Sequence, residues 1–134
     1  MTFRPGFVVL AVAVAALDAG FWFVARGPHP ATARSGFIVA FVLLLALLAA
    51  VAAVVRWEVA APLGAASTSG LLVVGAAAIF SVGLGFLLAA VVEAALVRRT
   101  VAAAAGWRGG TALISATAAV VPVALFAAGL FALR

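Results

Sequence analysis

The sequence contains no cysteine, lysine, tyrosine, asparagine or glutamine among its 134 residues. Without cysteine there is no disulfide, no iron–sulfur ligand and no thiol nucleophile. Without lysine there is no Schiff base to retinal or pyridoxal phosphate. A single histidine, His29, cannot bind a haem from both faces or complete a usual zinc site. These absences exclude most cofactor enzymes, and we expect neither enzyme activity nor a bound cofactor or metal.

Charged side chains are also scarce, at 8% of the sequence, where a usual globular domain has about a quarter. Hydrophobic residues make up 69% of it. A chain of this composition cannot cover the surface of a soluble domain with polar groups. We therefore expect lipid to surround it, and its length predicts one integral membrane domain over residues 1–134.

The few charges are mostly positive, because all eight basic residues are arginines and the net charge is +5. The arginines are scattered between apolar runs and form no basic patch, which argues against a nucleic-acid partner. Arginines at the ends of apolar runs are typical of membrane proteins. The preference for arginine and alanine over lysine and isoleucine further indicates a prokaryote, and hence its cell membrane.

Four stretches approach the roughly 20 residues that a helix needs to cross the bilayer. They cover residues 7–25, 36–55, 70–97 and 110–133. These stretches are continuously apolar and lack the alternation of a lipid-facing barrel strand. In lipid only helices and closed barrels satisfy every backbone group. The sequence therefore predicts an all-α fold, a four-helix transmembrane bundle.

The first stretch has a second interpretation as a signal peptide, with Arg4 as its basic region and "ALDAG" as a cleavage site. However, the stretch is long enough to cross the membrane, and Asp18 would interrupt the apolar core of a signal peptide. We therefore interpret it as a transmembrane helix.

The orientation follows from the distribution of arginines. With four helices, loops 26–35 and 98–109 share one side and hold five of the eight arginines, namely Arg26, Arg34, Arg98, Arg99 and Arg108. The positive-inside rule then places these loops in the cytoplasm and both termini outside. Five against three is a small excess, which a protein inserting in both orientations would also show.

Two pairs of similar positions indicate an internal repeat. Asp18 and Glu93 are 75 residues apart, and "Arg34-Ser-Gly" and "Arg108-Gly-Gly" are 74 residues apart. A duplication would relate two helical hairpins of the same orientation by an axis along the membrane normal. Such matches also arise by chance in a sequence dominated by alanine, valine and leucine.

Asp18 is the most informative single residue, because it lies roughly 3 Å from the middle of the first predicted helix. An ionised aspartate at that depth costs about 2.5–3.5 kcal/mol. It must be protonated, hydrogen-bonded inside the bundle or hydrated. Its candidate partners on other helices are Ser81, Ser115 and Thr117. Asp18 is then either a proton- or cation-binding carboxylate or a structural acid bonded to a neighbouring helix or subunit.

The third predicted helix carries small residues and one acid at every fourth position: Ala77, Ser81, Gly85, Ala89 and Glu93. Such a seam suits close packing against another helix. In a helix over 70–97, Glu93 lies roughly 15 Å from the centre, at the edge of the hydrocarbon. There it is an interfacial acid that pairs with Arg26 or Arg34 or is hydrated, or, together with Asp18, it is part of a path for protons.

The sequence supports two functions. The first is a non-enzymatic membrane subunit that packs through the seam and the Asp18 face against itself or other membrane subunits. The second is a small proton-coupled transporter or channel, oligomeric because four thin helices enclose little volume, that uses Asp18.

Overall fold

The computed structural model describes residues 3–27, 32–79, 82–104 and 109–133, and most of these residues are helical. Within these ranges there is no strand, and the all-α prediction is confirmed. The helices are α1 (Pro5–Arg26), α2 (Ala33–Ala52), α3 (Trp57–Ala77), α4 (Gly83–Ala103) and α5 (Gly109–Ala132).

The first two helices have clear start and stop signals. Pro5 opens α1, at a position where its missing N–H is not needed. Thr32 and Ser35 cap α2, because the Ser35 N–H donates to Thr32 Oγ1 at 3.2 Å and the Thr32 N–H donates to Ser35 Oγ at 3.0 Å. At the other end of α2, the Arg4 guanidinium donates to the carbonyls of Ala52 and Val55. Free carbonyls at a helix end are thereby satisfied.

The prediction of one continuous helix over 70–97 is wrong. Residues 57–69, predicted as a loop, form most of α3, and the chain reverses between Ala77 and Gly83. Pro62 and the serines made the first half resemble a loop, but Ser67 and Ser69 donate their hydroxyl protons to the carbonyls of Leu45 and Ala66. Burial of the small residues of α3 against its neighbours outweighs the weak helix propensity of this segment.

The first four helices form a closed ring in which α1 packs on α2, α2 on α3, α3 on α4, and α4 on α1. Successive helices run antiparallel. Within the described ranges, α5 contacts α3 extensively, meets α2 at a few positions and contacts neither α1 nor α4. The molecule is therefore a four-helix bundle with a fifth helix attached to its outside.

Four helices, α1, α2, α3 and α5, are each long and apolar enough to cross a membrane. The predicted helical membrane bundle is thus confirmed, although these are not the four helices that form the ring. The ring is completed by α4, which carries Glu93, Arg98 and Arg99. Gly75 of α3 lies beside Leu87, and Gly64 beside Val97. The helix α4 therefore runs alongside α3 and occupies the same depth.

Because the chain has a fifth helix, its two ends do not lie on the same side of the bundle as predicted. Arg34, at the start of α2, donates to the Leu133 carbonyl at 2.9 Å, so this end of the bundle holds the end of α5. We call it the C-terminal end, and the opposite one, where Arg4 meets α2, the N-terminal end. Arg26, which ends α1, and Arg34, at the start of α2, lie at the C-terminal end, whereas α4 finishes at the N-terminal end. The prediction that loops 26–35 and 98–109 share a side is therefore wrong, and residues 3 and 133 lie at opposite ends.

The antiparallel order of the helices contradicts the predicted repeat for its two acids. Asp18 and Glu93 lie on α1 and α4, which run in opposite directions. Two hairpins of the same orientation therefore do not relate these two acids.

The topology can be tested with single cysteines, since the natural chain has none. We expect Phe3→Cys and Leu133→Cys to react with a membrane-impermeant maleimide from opposite sides of the membrane. In intact cells only one of the two should be labelled, and lysis should expose the other. The unmodified chain gives the background. Equal labelling of both positions in intact cells would contradict five antiparallel crossings.

Candidate functional site

Four polar side chains are buried among the described residues: Asp18, Ser67, Glu93 and Ser115. They lie on four different helices, α1, α3, α4 and α5. Buried polar groups inside a membrane bundle are expensive and usually functional, so we treat these four side chains as the candidate site.

Glu93 is the most deeply buried acid, with no exposed surface. Because α4 begins at Gly83 and ends at Ala103, Glu93 lies at its middle. The prediction that it lies at the edge of the hydrocarbon is therefore wrong, since that depth was measured along a helix that the structure divides in two. Neither carboxyl oxygen has a hydrogen-bond partner in the described part of the chain.

Ser67, on the facing helix α3, was not predicted as a site residue. Its hydroxyl lies beside the Glu93 carboxyl and donates its proton to the Leu45 carbonyl at 3.1 Å. A hydroxyl has one proton to donate, so Ser67 donates either to the Leu45 carbonyl or, after rotation, to the Glu93 carboxylate, and its lone pairs can accept the proton of a protonated carboxyl. Ser67 can therefore serve either protonation state of Glu93, although it bonds to Leu45 in this structure.

A sequence signal for Ser67 exists, although it is weak. Its segment was assigned to a loop because of the run "STS" at 67–69. Buried residues nevertheless recur along α3 at helical spacing: Ala60, Gly64, Ser67, Leu71 and Val74. Reading that period through the serines would have placed Ser67 on the face that packs inside the bundle.

Asp18 is also buried, with about 1% of its surface exposed, and its Oδ1 has no hydrogen-bond partner in the described ranges. Its neighbour Leu17 packs against Gly85 of α4. Since Gly85 precedes Glu93 by eight residues, the two acids are separated by about 12 Å along the bundle. They form two sites at different depths and not one carboxylate pair.

The partners predicted for Asp18 are mostly wrong. Ser115 and Thr117 lie on α5, which has no contact with α1 in the described structure. Thr117 is exposed and donates to the Leu113 carbonyl of its own helix, whereas the buried Ser115 hydroxyl has no partner among the described residues. Ser81, the third predicted partner, lies outside the described residues.

The predicted seam is divided between two helices. Ala77 ends α3 and is exposed, so its place in the seam is wrong. Gly85, Ala89 and Glu93 remain on one face of α4. This face turns towards α1, where Leu17 covers Gly85. Of the predicted seam, only the part on α4 therefore forms a packing face in the described structure.

A cavity of about 370 Å³ opens at the C-terminal end. Its lining includes Ile38, Val74 and Phe86 from three ring helices, together with Arg34 and Phe21. Phe21 is about one helical turn from Asp18. The cavity thus provides an opening near the depth of Asp18, whereas Glu93 lies deeper.

Comparison of the chain with protein-family models, curated proteins and solved structures finds no match. The function must therefore be argued from the buried side chains alone. Carboxyl and hydroxyl groups in this arrangement can accept, hold and release a proton.

Proposed function

We propose that the protein is a small membrane protein that carries protons across the bilayer, in which Glu93 takes up and releases the proton. The observation that carries this proposal is the position of Glu93, which is fully buried at mid-depth with both carboxyl oxygens lacking a partner in the described structure. An ionised carboxylate near the centre of a bilayer costs about 2.5–3.5 kcal/mol on insertion scales. An acid retained at this depth despite that cost is usually functional, and binding a proton is a function that a carboxyl group can perform there.

The surrounding groups suit this role. Ser67 can accept a hydrogen bond from a protonated Glu93, because its own proton is donated to the Leu45 carbonyl. Asp18 lies about 12 Å nearer the C-terminal end, close to the depth reached by the cavity there. Protons entering at this end would reach Asp18 first and Glu93 second. Transfer between the two requires bridging water or a movement of the helices.

The decisive comparison is between Glu93→Gln and Glu58→Gln in liposomes that contain a pH-sensitive dye. Both changes remove one carboxylate, but Glu58 is partly exposed and pairs with Arg56 at 3.2 Å. With an imposed proton gradient, we expect wild type and Glu58→Gln to carry a flux above that of empty liposomes. Glu93→Gln should reduce it at least tenfold.

Two results would overturn the proposal. The first is a wild-type flux no larger than that of protein-free liposomes, with the protein shown to be folded and inserted. The second is a Glu93→Gln variant that carries the wild-type flux.

A second candidate, the non-enzymatic membrane subunit, is favoured by the placement of α5. This helix packs mainly on α3, and only Ser115, Pro122 and Phe126 are buried along it. Its remaining apolar surface is available to another membrane helix. Absence of wild-type flux, together with a membrane protein that co-purifies in constant proportion in mild detergent, would favour this candidate.

We also propose an orientation in a prokaryotic cell membrane. Among the described arginines, Arg4, Arg56, Arg98 and Arg99 lie towards the N-terminal end, and Arg26 and Arg34 lie at the C-terminal end. Four arginines against two favour a cytoplasmic N-terminal end by the positive-inside rule.

A further inference from the structure

A groove separates α4 from α5 on the outer surface of the bundle. Both helices pack on α3, but they do not contact each other in the described structure. The groove has a volume of about 290 Å³ and is lined mostly by small apolar side chains, including Ala65 and Leu72 of α3, Ala94 and Val97 of α4, and Ala119 of α5. We call it the α4–α5 groove. Since its walls are lipid-facing membrane helices, it opens towards acyl chains.

One arginine lines this groove, and a second follows it on α4. Arg98 lines it directly. Together with Arg99, Arg98 also lines a shallow depression on the outer face of α4. Both side chains are exposed, and neither makes a hydrogen bond or ion pair with a described residue. The groove is therefore apolar along its length, with Arg98 on its wall and Arg99 in the adjoining depression.

The depth of these two arginines favours a bound anion beside them. Arg98 follows Glu93 by five residues, which places its backbone about 7.5 Å from mid-depth. The hydrocarbon extends to roughly 15 Å on each side of the bilayer centre. A guanidinium on the lipid-facing surface at that depth must extend towards the interface or draw a counter-charge to itself. A lipid phosphate lies at the interface and supplies the counter-charge, and it accepts two parallel hydrogen bonds from one guanidinium.

We propose that the α4–α5 groove binds one anionic phospholipid. The phosphate contacts Arg98 and Arg99, and one acyl chain lies in the groove towards the middle of the bundle. Thr68 Oγ1, in the same groove, has no hydrogen-bond partner among the described residues. Because Gly64 lies beside Val97 and Gly75 beside Leu87, Thr68 lies near the depth of Glu93, at the inner end of the groove. The site faces the leaflet at the N-terminal end and does not depend on the proposed proton transport.

Native mass spectrometry of the delipidated protein in a non-ionic detergent tests this site. We expect phosphatidylglycerol to bind at one molecule per chain, and phosphatidylcholine, whose headgroup has no net charge, to bind more weakly. Arg98→Gln should weaken phosphatidylglycerol binding by about tenfold, the effect of losing one strong charged hydrogen bond. Arg56→Gln is the matched control, because it removes one positive charge from the same end but lies outside the groove.

The Ala119→Trp variant tests the contribution of the acyl-chain groove separately from that of the headgroup contact. It fills the groove and leaves both arginines in place, so phosphatidylglycerol binding should fall while the melting temperature stays close to that of wild type. Equal losses in Arg98→Gln and Arg56→Gln would show general attraction to the charged end and overturn the proposal. Equal binding of both lipids, or no loss in Ala119→Trp, would overturn it as well. So would an Ala119→Trp protein that changes its oligomeric mass, since the occupant would then be another chain.

Discussion

Replacing Glu93 with leucine is expected to raise the melting temperature of the protein in detergent and to abolish proton flux. The carboxyl has no exposed surface, and its two oxygens have no partner among the described residues. Removing a buried polar group that lacks a hydrogen bond gains about 1–3 kcal/mol. Leucine has a similar volume and fills the space with apolar atoms. Stability and activity should therefore change in opposite directions.

Thermal unfolding followed by circular dichroism measures the first effect, and the liposome assay measures the second. Glu58→Leu is the control for stability. Its carboxylate is partly exposed and pairs with Arg56, so its loss should shift the free energy of unfolding by less than about 1 kcal/mol. A lower melting temperature for Glu93→Leu would contradict this account, because it would mean that the carboxyl stabilises the folded bundle.

Gly83→Ala is expected to destabilise the bundle by about 1–3 kcal/mol, the usual effect of an atom forced into a filled space. A Cβ at this position would overlap the backbone of Gly75 and Ala78. Backbone atoms cannot give way as the end of a long side chain can. The Ala78 carbonyl also accepts the Gly83 N–H at 2.9 Å, so the contact lies within the reversal between α3 and α4.

The control is Gly20→Ala in α1, where a Cβ would meet no atom within 4 Å. Alanine in a helix is more favourable than glycine by up to about 1 kcal/mol, so this variant should be as stable as wild type or slightly more stable. Circular dichroism melting of the two variants in one detergent compares them directly. If both melt at the same temperature, the close approach of α3 and α4 at Gly83 is wrong.

The amino-acid sequence alone determined the class of the protein. Long apolar runs with few charges can satisfy their backbone in lipid only as helices or closed barrels, so the helical bundle follows from composition and run length. The position of Asp18 within a membrane-spanning helix follows in the same way, since the apolar run around it is long. Neither inference depends on which helices touch.

Only the tertiary structure decided where the third apolar run reverses, and with it the depth of Glu93. No proline lies between Ala77 and Gly83, and hydropathy is nearly uniform across the reversal, so no local signal marks it. The turn is fixed by the close packing of Gly75 at the end of α3 against Gly83 at the start of α4. In a membrane protein apolar side chains face both lipid and protein, so hydropathy cannot distinguish a ring helix from an outer one. Contacts between helices therefore placed α5 outside the ring and Glu93 at its centre.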